Sequence, residues 1–153
     1  MKKNKTFING SWVDGTSGKT LQSVNPATGE VIAEVQENSA EDVEMAIQAA
    51  KESFYVTRIW RDMDTQSRSD ILLKIADMIE EELEEIAKTE SMDNGKPLRE
   101  AEADVDDAVH CFRYYAGLIR TPQGGVYGVN NNFGTMHSYT VHEPVSYTHL
   151  TLP

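Results

Sequence analysis

Up to Val35 the apolar residues come in short runs separated by Gly, Asn and Pro; from Ser39 onward they recur at helical spacing. Thr6-Phe7-Ile8 and Trp12-Val13 flank Asn9-Gly10-Ser11. This predicts a short hairpin turning on Asn-Gly, since both residues tolerate positive φ. Asp14 to Gly18 is a polar loop, and Leu21 to Val24 is extended. Asn25-Pro26-Ala27-Thr28-Gly29 turns the chain before a strand over Val31 to Val35.

Ser39, with Asp42 three residues on, has the form of a helix N-terminal cap, although Asp is shorter than the usual Glu. Val43, Ala46, Ile47, Ala50 and Phe54 follow at i, i+3, i+4, i+7 and i+11, an amphipathic stripe. Trp60 lies in the connection and is expected to pack beneath that helix. A second helix begins at Asp64 or Thr65, with Leu72, Ile75, Ile79, Leu83 and Ile86 on its apolar face. Glu80, Glu81, Glu82, Glu84 and Glu85 crowd its middle. Like charges at i, i+4 repel by roughly a few tenths of a kcal/mol per pair, so a break is expected near residue 81.

A third long helix is marked by Leu98, Ala101, Val105, Ala108, Phe112, Tyr115 and Ile119, and Pro122 with Gly124-Gly125 ends it. Met136 to Val141 alternates and predicts a strand. The chain as a whole reads as mainly helical, with an N-terminal β-hairpin and a short C-terminal strand.

Composition narrows the function classes. The 153 residues hold 14 basic and 25 acidic side chains, a net charge of −11, which argues against nucleic acid or an anionic membrane as partner. No stretch approaches the roughly 20 apolar residues of a membrane span, and no signal-peptide core follows the basic Met1 to Lys5. A lone cysteine excludes an intramolecular disulfide and suits a reducing cytosol, so a cytoplasmic protein is expected.

The residues that could carry chemistry are few. Cys111 is the sole thiol; its neighbour His110 cannot face it on a helix, so a buried or half-buried packing role is expected. His110, His137, His142 and His149 show no zinc-site spacing. Gly124-Gly125-Val126-Tyr127-Gly128 follows a helix rather than a strand and is not GxGxxG, so a loop is expected there. The carboxylate clusters read as a solvated face.

Between the second and third helical patterns lies Glu90-Ser91-Met92-Asp93-Asn94-Gly95-Lys96-Pro97. Asn94-Gly95 is a turn, and Pro97 suits the first turn of a new helix. Asp93 sits at a helix C-terminus, which the macrodipole disfavours for an acid. Three explanations stand open: a backbone N–H partner, a neighbouring cation, or plain solvation at a helical corner.

Glu-x-x-Asp-Asn-Gly-Lys-Pro resembles a segment of the aldehyde dehydrogenase superfamily. So do Phe7-Ile8-Asn9-Gly10-x-Trp12, Asn25 to Glu30, Arg113-Tyr114-Tyr115-Ala116-Gly117 and His142-Glu143-Pro144, in the family's order. The resemblance covers residues 6 to 145 and is of the betaine-aldehyde dehydrogenase-like type. It implies an α/β fold and an N-terminal part of an NAD(P)-binding domain over residues 1 to 145, including the start of an oligomerisation strand near 136 to 143. It implies a parent enzyme, a homodimer or homotetramer, that oxidises an aldehyde to a carboxylic acid with NAD+ or NADP+. By resemblance, Ser23, Val24 and Asp93 stand where family members hold Na+ or K+; such oxygen donors are hard, as these cations require. The family's catalytic cysteine, asparagine, glutamate and phosphate-binding loop fall outside this resemblance, and Cys111 does not match the cysteine. The chain alone is therefore expected to be inactive, to bind no cofactor tightly, and to expose apolar helix faces.

After Val145 the family pattern calls for a glycine-valine run. Ser146 to Pro153 departs from it and is read as a foreign tail. The competing reading is a non-enzymatic, acidic helical interaction module, which accounts for the charge and the helices but not for the ordered set of motifs.

Overall fold

The computed structural model describes residues 2–121, 124–131 and 134–140. Pro122, the strand beyond residue 140, His142, His149 and the tail at 146–153 lie outside the described residues. Two units separate, Met1–Arg120 and Thr121–Pro153.

The first unit opens with β1 (Lys2–Asn4), then the hairpin β2 (Thr6–Ile8) and β3 (Ser11–Val13). The hairpin turns on Asn9 and Gly10, at φ 50 and 76, the positive values an Asn-Gly pair accepts. Phe7 pairs with Trp12 in register, their rings edge to face at 5.1 Å. β4 (Thr20–Val24) runs antiparallel to β5 (Val31–Gln36), and β1, which the sequence pattern did not suggest, adds in parallel to the other edge of β5. Three residues of Lys and Asn carry no strand signal; the backbone of β5 supplies the partner.

Helix α1 (Ala40–Lys51) starts at the expected Ser39–Asp42 capping box. Asp42 is buried and also accepts the Thr16 N–H through both carboxylate oxygens, at 3.1 and 3.2 Å. One short acid thus caps the helix and ties the 14–18 loop to it. The Ser39 N–H, with further help from Thr16, holds this carboxyl below its usual 3.8 against the opposing effect of burial. The Ser67 hydroxyl does the same for Asp64, and Arg113 for Glu80. Each depressed folded value means stability that is present above the unfolded carboxylate range and lost as pH falls through the folded value. Helicity followed by circular dichroism is therefore expected to hold at pH 5 and to fall below about pH 4. An Asp42→Asn variant, which keeps the size but not the charge, should show a smaller acid loss; an unchanged acid transition would rule out Asp42 as a contributor.

Past Lys51 the backbone widens into a π-helical segment, Glu52–Thr57, and Arg58 reverses it at φ 57. Trp60, expected to pack beneath α1, is instead 42% exposed, because this reversal carries it away; Arg61 covers Phe54 at 5.0 Å.

Helix α2 (Thr65–Glu81) is capped by Asp64, and α3 (Leu83–Asn94) follows after a break at Glu82, φ −104 and ψ 14. The break falls inside the glutamate run, as the charge repulsion predicts. Helix α4 (Leu98–Leu118) packs on both. Its buried positions are Ala101, Val105, Val109 and Ala116, whereas Leu98 and Tyr115 of the expected stripe are exposed. The reason is close approach. The Ser69 hydroxyl donates to the Ala116 carbonyl at 2.8 Å, so small residues must face α2 there. Ala87, Ala101 and Val105 form the α3–α4 seam, with Ile79 and Leu83 against it. Cys111, expected to be buried or half-buried, is exposed: two residues past Val109 is a rotation of about 200° from the buried side.

In the second unit β6 (Val126–Asn131) pairs antiparallel with β7 (Gly134–Tyr139). The loop expected over Gly124 to Gly128 is corrected from Val126 onward. The ladder with β7 satisfies the backbone there whatever the side chains, and Gly128 sits opposite His137.

Candidate functional site at the β4–α3 corner

The turn after β4 meets the end of α3. Asn25 shapes that turn: its side chain accepts the Ala27 N–H at 2.9 Å, and its backbone exchanges bonds with Gly29 and Glu30. Pro26 projects from it onto Gly95, the left-handed residue (φ 79) that ends α3. A Cβ at Gly95 would stand 2.7 Å from the Pro26 ring.

The corner is fastened from within. The Gly95 N–H donates to the Ser91 carbonyl, the Ser91 hydroxyl to the Lys96 carbonyl at 2.8 Å, and the Lys96 N–H to the Asn94 side chain at 2.8 Å. The Lys96 ammonium bonds Asp104 on α4 and Glu90 on α3. Those two carboxylates, Asp104 first, raise its pKa above the usual lysine value.

Of the three residues expected to form a site, the structure brings two into direct contact. Ser23 Oγ donates to Asp93 Oδ1 at 2.6 Å, across 70 positions of sequence. The oddly placed acid thus has a partner that none of the three open explanations named, a side-chain hydroxyl. Val24 follows Ser23 where the β4–β5 register slips: Ser23 faces Ala33 but Val24 faces Val31. Such a bulge interrupts the ladder locally. The resemblance named Ser23, Val24 and Asp93 without a hydroxyl–carboxylate bond between them, and it gave no part to Pro26, whose role depends on a distant helix end.

The other candidates do not converge. His110 Nδ1 lies 2.9 Å from the Asp106 carbonyl on its own helix. Among the described residues no three His, Cys, Asp or Glu side chains group to hold a metal ion. No helix among them is long and apolar enough to cross a membrane.

Comparison with known proteins bears on what this corner belongs to. A model of the aldehyde dehydrogenase family matches residues 12–153. Mitochondrial aldehyde dehydrogenase from Mesocricetus auratus is 43% identical over 143 residues, covering 93% of this chain and 28% of its own length. Human retinal dehydrogenase 2 is 38% identical over 146 residues, 95% of this chain and 28% of its own. Among solved structures, the NAD+ complex of aldehyde dehydrogenase from Bacillus cereus superposes with a TM-score of 0.82 at 39% identity, over 94% of this chain and 29% of that one. A betaine aldehyde dehydrogenase from Staphylococcus aureus gives 0.79 at 35%, over 84% and 26%. This chain thus spans a little over a quarter of the length of the relatives it matches, and its α/β fold is theirs. From the match across residues 12–153 and these identities, the chain belongs to the aldehyde dehydrogenase family.

Proposed function

We propose that this chain is part of an NAD+- or NADP+-dependent enzyme that oxidises an aldehyde to a carboxylic acid. The carrying observation is that 94% of this chain follows, at a TM-score of 0.82, a backbone which in the Bacillus cereus relative belongs to an aldehyde dehydrogenase solved in complex with NAD+. An acidic interaction module would account for the charge and the helices but not for the ordered set of motifs. The likeness to the Staphylococcus aureus structure supports the betaine-aldehyde-like type; turnover of betaine aldehyde against acetaldehyde by a full-length parent tests it. A cytosolic homodimer or homotetramer is part of the same reading.

No step of that chemistry is assigned to this chain. Among the described residues the glycine-rich run is largely a β-strand, not a phosphate cradle opening a helix, so they do not fit a nucleotide site. Cys111 lies exposed on α4, and the neighbouring His110 ring bonds back to the Asp106 carbonyl of its own helix. The purified 153-residue chain, mixed with NAD+ or NADP+ and a panel of aldehydes, is expected to give no rise in reduced-cofactor absorbance above a protein-free control. A rise would place catalytic groups where we find none.

The proposal extends to a monovalent cation at Ser23, Val24 and Asp93. The donor set supports it: a carboxylate and a hydroxyl already 2.6 Å apart, beside a strand bulge, are hard oxygen ligands. In a full-length parent, saturating K+ or Na+ at about tenfold its dissociation constant should stabilise by about 1.4 kcal/mol over choline at equal ionic strength. An Asp93→Asn parent should lose that increment; an equal increment would remove the site.

We also take residues 146–153 as foreign to the family. This rests on their sequence departure alone, since the family match itself runs through them. Resequencing the locus tests it, and an unbroken native frame through Pro153 would end that reading.

A further inference from the structure

Asparagine followed by glycine or serine can cyclise on its own main chain. The amide nitrogen of the next residue attacks the side-chain carbonyl carbon, most readily where that residue has little or no side chain to block the approach. Three asparagines of this chain stand in such a step: Asn9, Asn38 and Asn94. All three are exposed, so access to water does not separate them. Hydrogen bonding does. The Gly95 N–H donates to the Ser91 carbonyl at 2.9 Å, and the Asn94 side chain accepts the Lys96 N–H at 2.8 Å. The Ser39 N–H donates to the Asp42 carboxylate at 2.8 Å, and the Asn38 side chain accepts the Thr6 hydroxyl at 2.7 Å. At both places the attacking nitrogen is held in a bond, and so is the group it would attack. The β2–β3 ladder closes at the Ile8–Ser11 pair, and among the described residues no bond engages the Gly10 N–H. A Cβ on Gly10 would meet no atom within 4 Å, so the tip of the hairpin is open.

We propose that Asn9 is a site of spontaneous deamidation, set apart from Asn38 and Asn94 by the unbonded N–H of Gly10. Hydroxide removes the Gly10 amide proton, and the nitrogen bonds to the side-chain carbonyl carbon of Asn9. The bond from that carbon to the side-chain nitrogen breaks, and ammonia leaves with a proton from water. A second water then opens the cyclic imide at either carbonyl, giving aspartate or isoaspartate; nothing is oxidised or reduced. The isoaspartyl product lengthens the main chain by one methylene inside a two-residue turn. It thereby disturbs the closure at Ile8 and Ser11 and the edge-to-face packing of Phe7 on Trp12. The inference does not depend on the enzymatic reading above.

The test holds the 153-residue chain at mildly alkaline pH, with and without guanidinium chloride, and follows each asparagine by peptide mass spectrometry. In the native chain Asn9 should convert about fivefold or more faster than Asn94, the slowing expected from one hydrogen bond that must open first. In denaturant the two rates should converge, because both are Asn-Gly steps. An Asn9→Asp chain should show no mass change in the peptide that carries residue 9. Three outcomes overturn the proposal: equal native rates at Asn9 and Asn94, a native difference that survives denaturation, or a mass change in that peptide that persists in Asn9→Asp.

Discussion

Replacing Val109 by aspartate should unfold the α2–α4 helical layer. Val109 is fully buried on α4, in a core whose other fully buried apolar residues, among those described, are Ala76, Ala87, Ala101 and Ala116. Arg113, one turn further along α4, is already engaged by Asp77 and Glu80, and Arg120 by Ser69 and Asp70. An unpaired buried charge of this kind costs about 4 kcal/mol, a large share of the roughly 5–15 kcal/mol by which a domain is stable. Far-ultraviolet circular dichroism at neutral pH should fall toward the unfolded value. Two companions separate the causes. Val109→Ala removes volume without charge and should cost about 2 kcal/mol. Cys111→Asp adds charge at an exposed position and should stay within about 0.5 kcal/mol of the parent. Equal effects from Val109→Asp and Cys111→Asp would mean that α4 does not face the core as described.

The second large effect is expected at Gly95. Alanine there must hold φ near 79 and place its Cβ 2.7 Å from the Pro26 ring. The left-handed backbone costs about 1 kcal/mol and the overlap about 1–3 kcal/mol, because neither a proline ring nor a helix end yields easily. The urea midpoint should drop accordingly. Gly95→Asn tests the backbone contribution, since asparagine tolerates this conformation yet still carries a Cβ. Gly95→Ala combined with Pro26→Ala should recover the overlap and leave only the backbone cost. If the double variant is no better than Gly95→Ala, the turn after β4 does not touch the end of α3.

That second experiment marks where local reading stops. The Asn9-Gly10 hairpin, the Ser39–Asp42 capping box, the Asp64 cap and the break in the glutamate run were all legible, because each is decided within about four residues by dihedral preference, a hydrogen bond or charge repulsion. The strand at β6 was not, since Gly124, Gly125 and Gly128 favour a loop and mask the strand preference of Val126 and Tyr127, which the pairing with β7 realises. Nor was the buried side of α4. Its apolar residues outnumber the positions one face can hold, and the choice of Ala116 over Tyr115 follows from how near α2 comes at Ser69.

The candidate site divides the same way. Motif order identified the family and named Ser23, Val24 and Asp93 by resemblance. It assigned Asp93 no hydroxyl partner and Gly95 no neighbour. The sequence by itself determined the hairpin, the β4–β5 pair, the long helices with their caps, and the family, because those depend on short-range chemistry and on residue order. The tertiary structure alone decided that Ser23 reaches Asp93, that Pro26 fills the space at Gly95, and that the α1 stripe lines a groove. Contacts between residues about 70 positions apart leave no periodic trace in the chain; they exist only once β4 and α3 have been brought together.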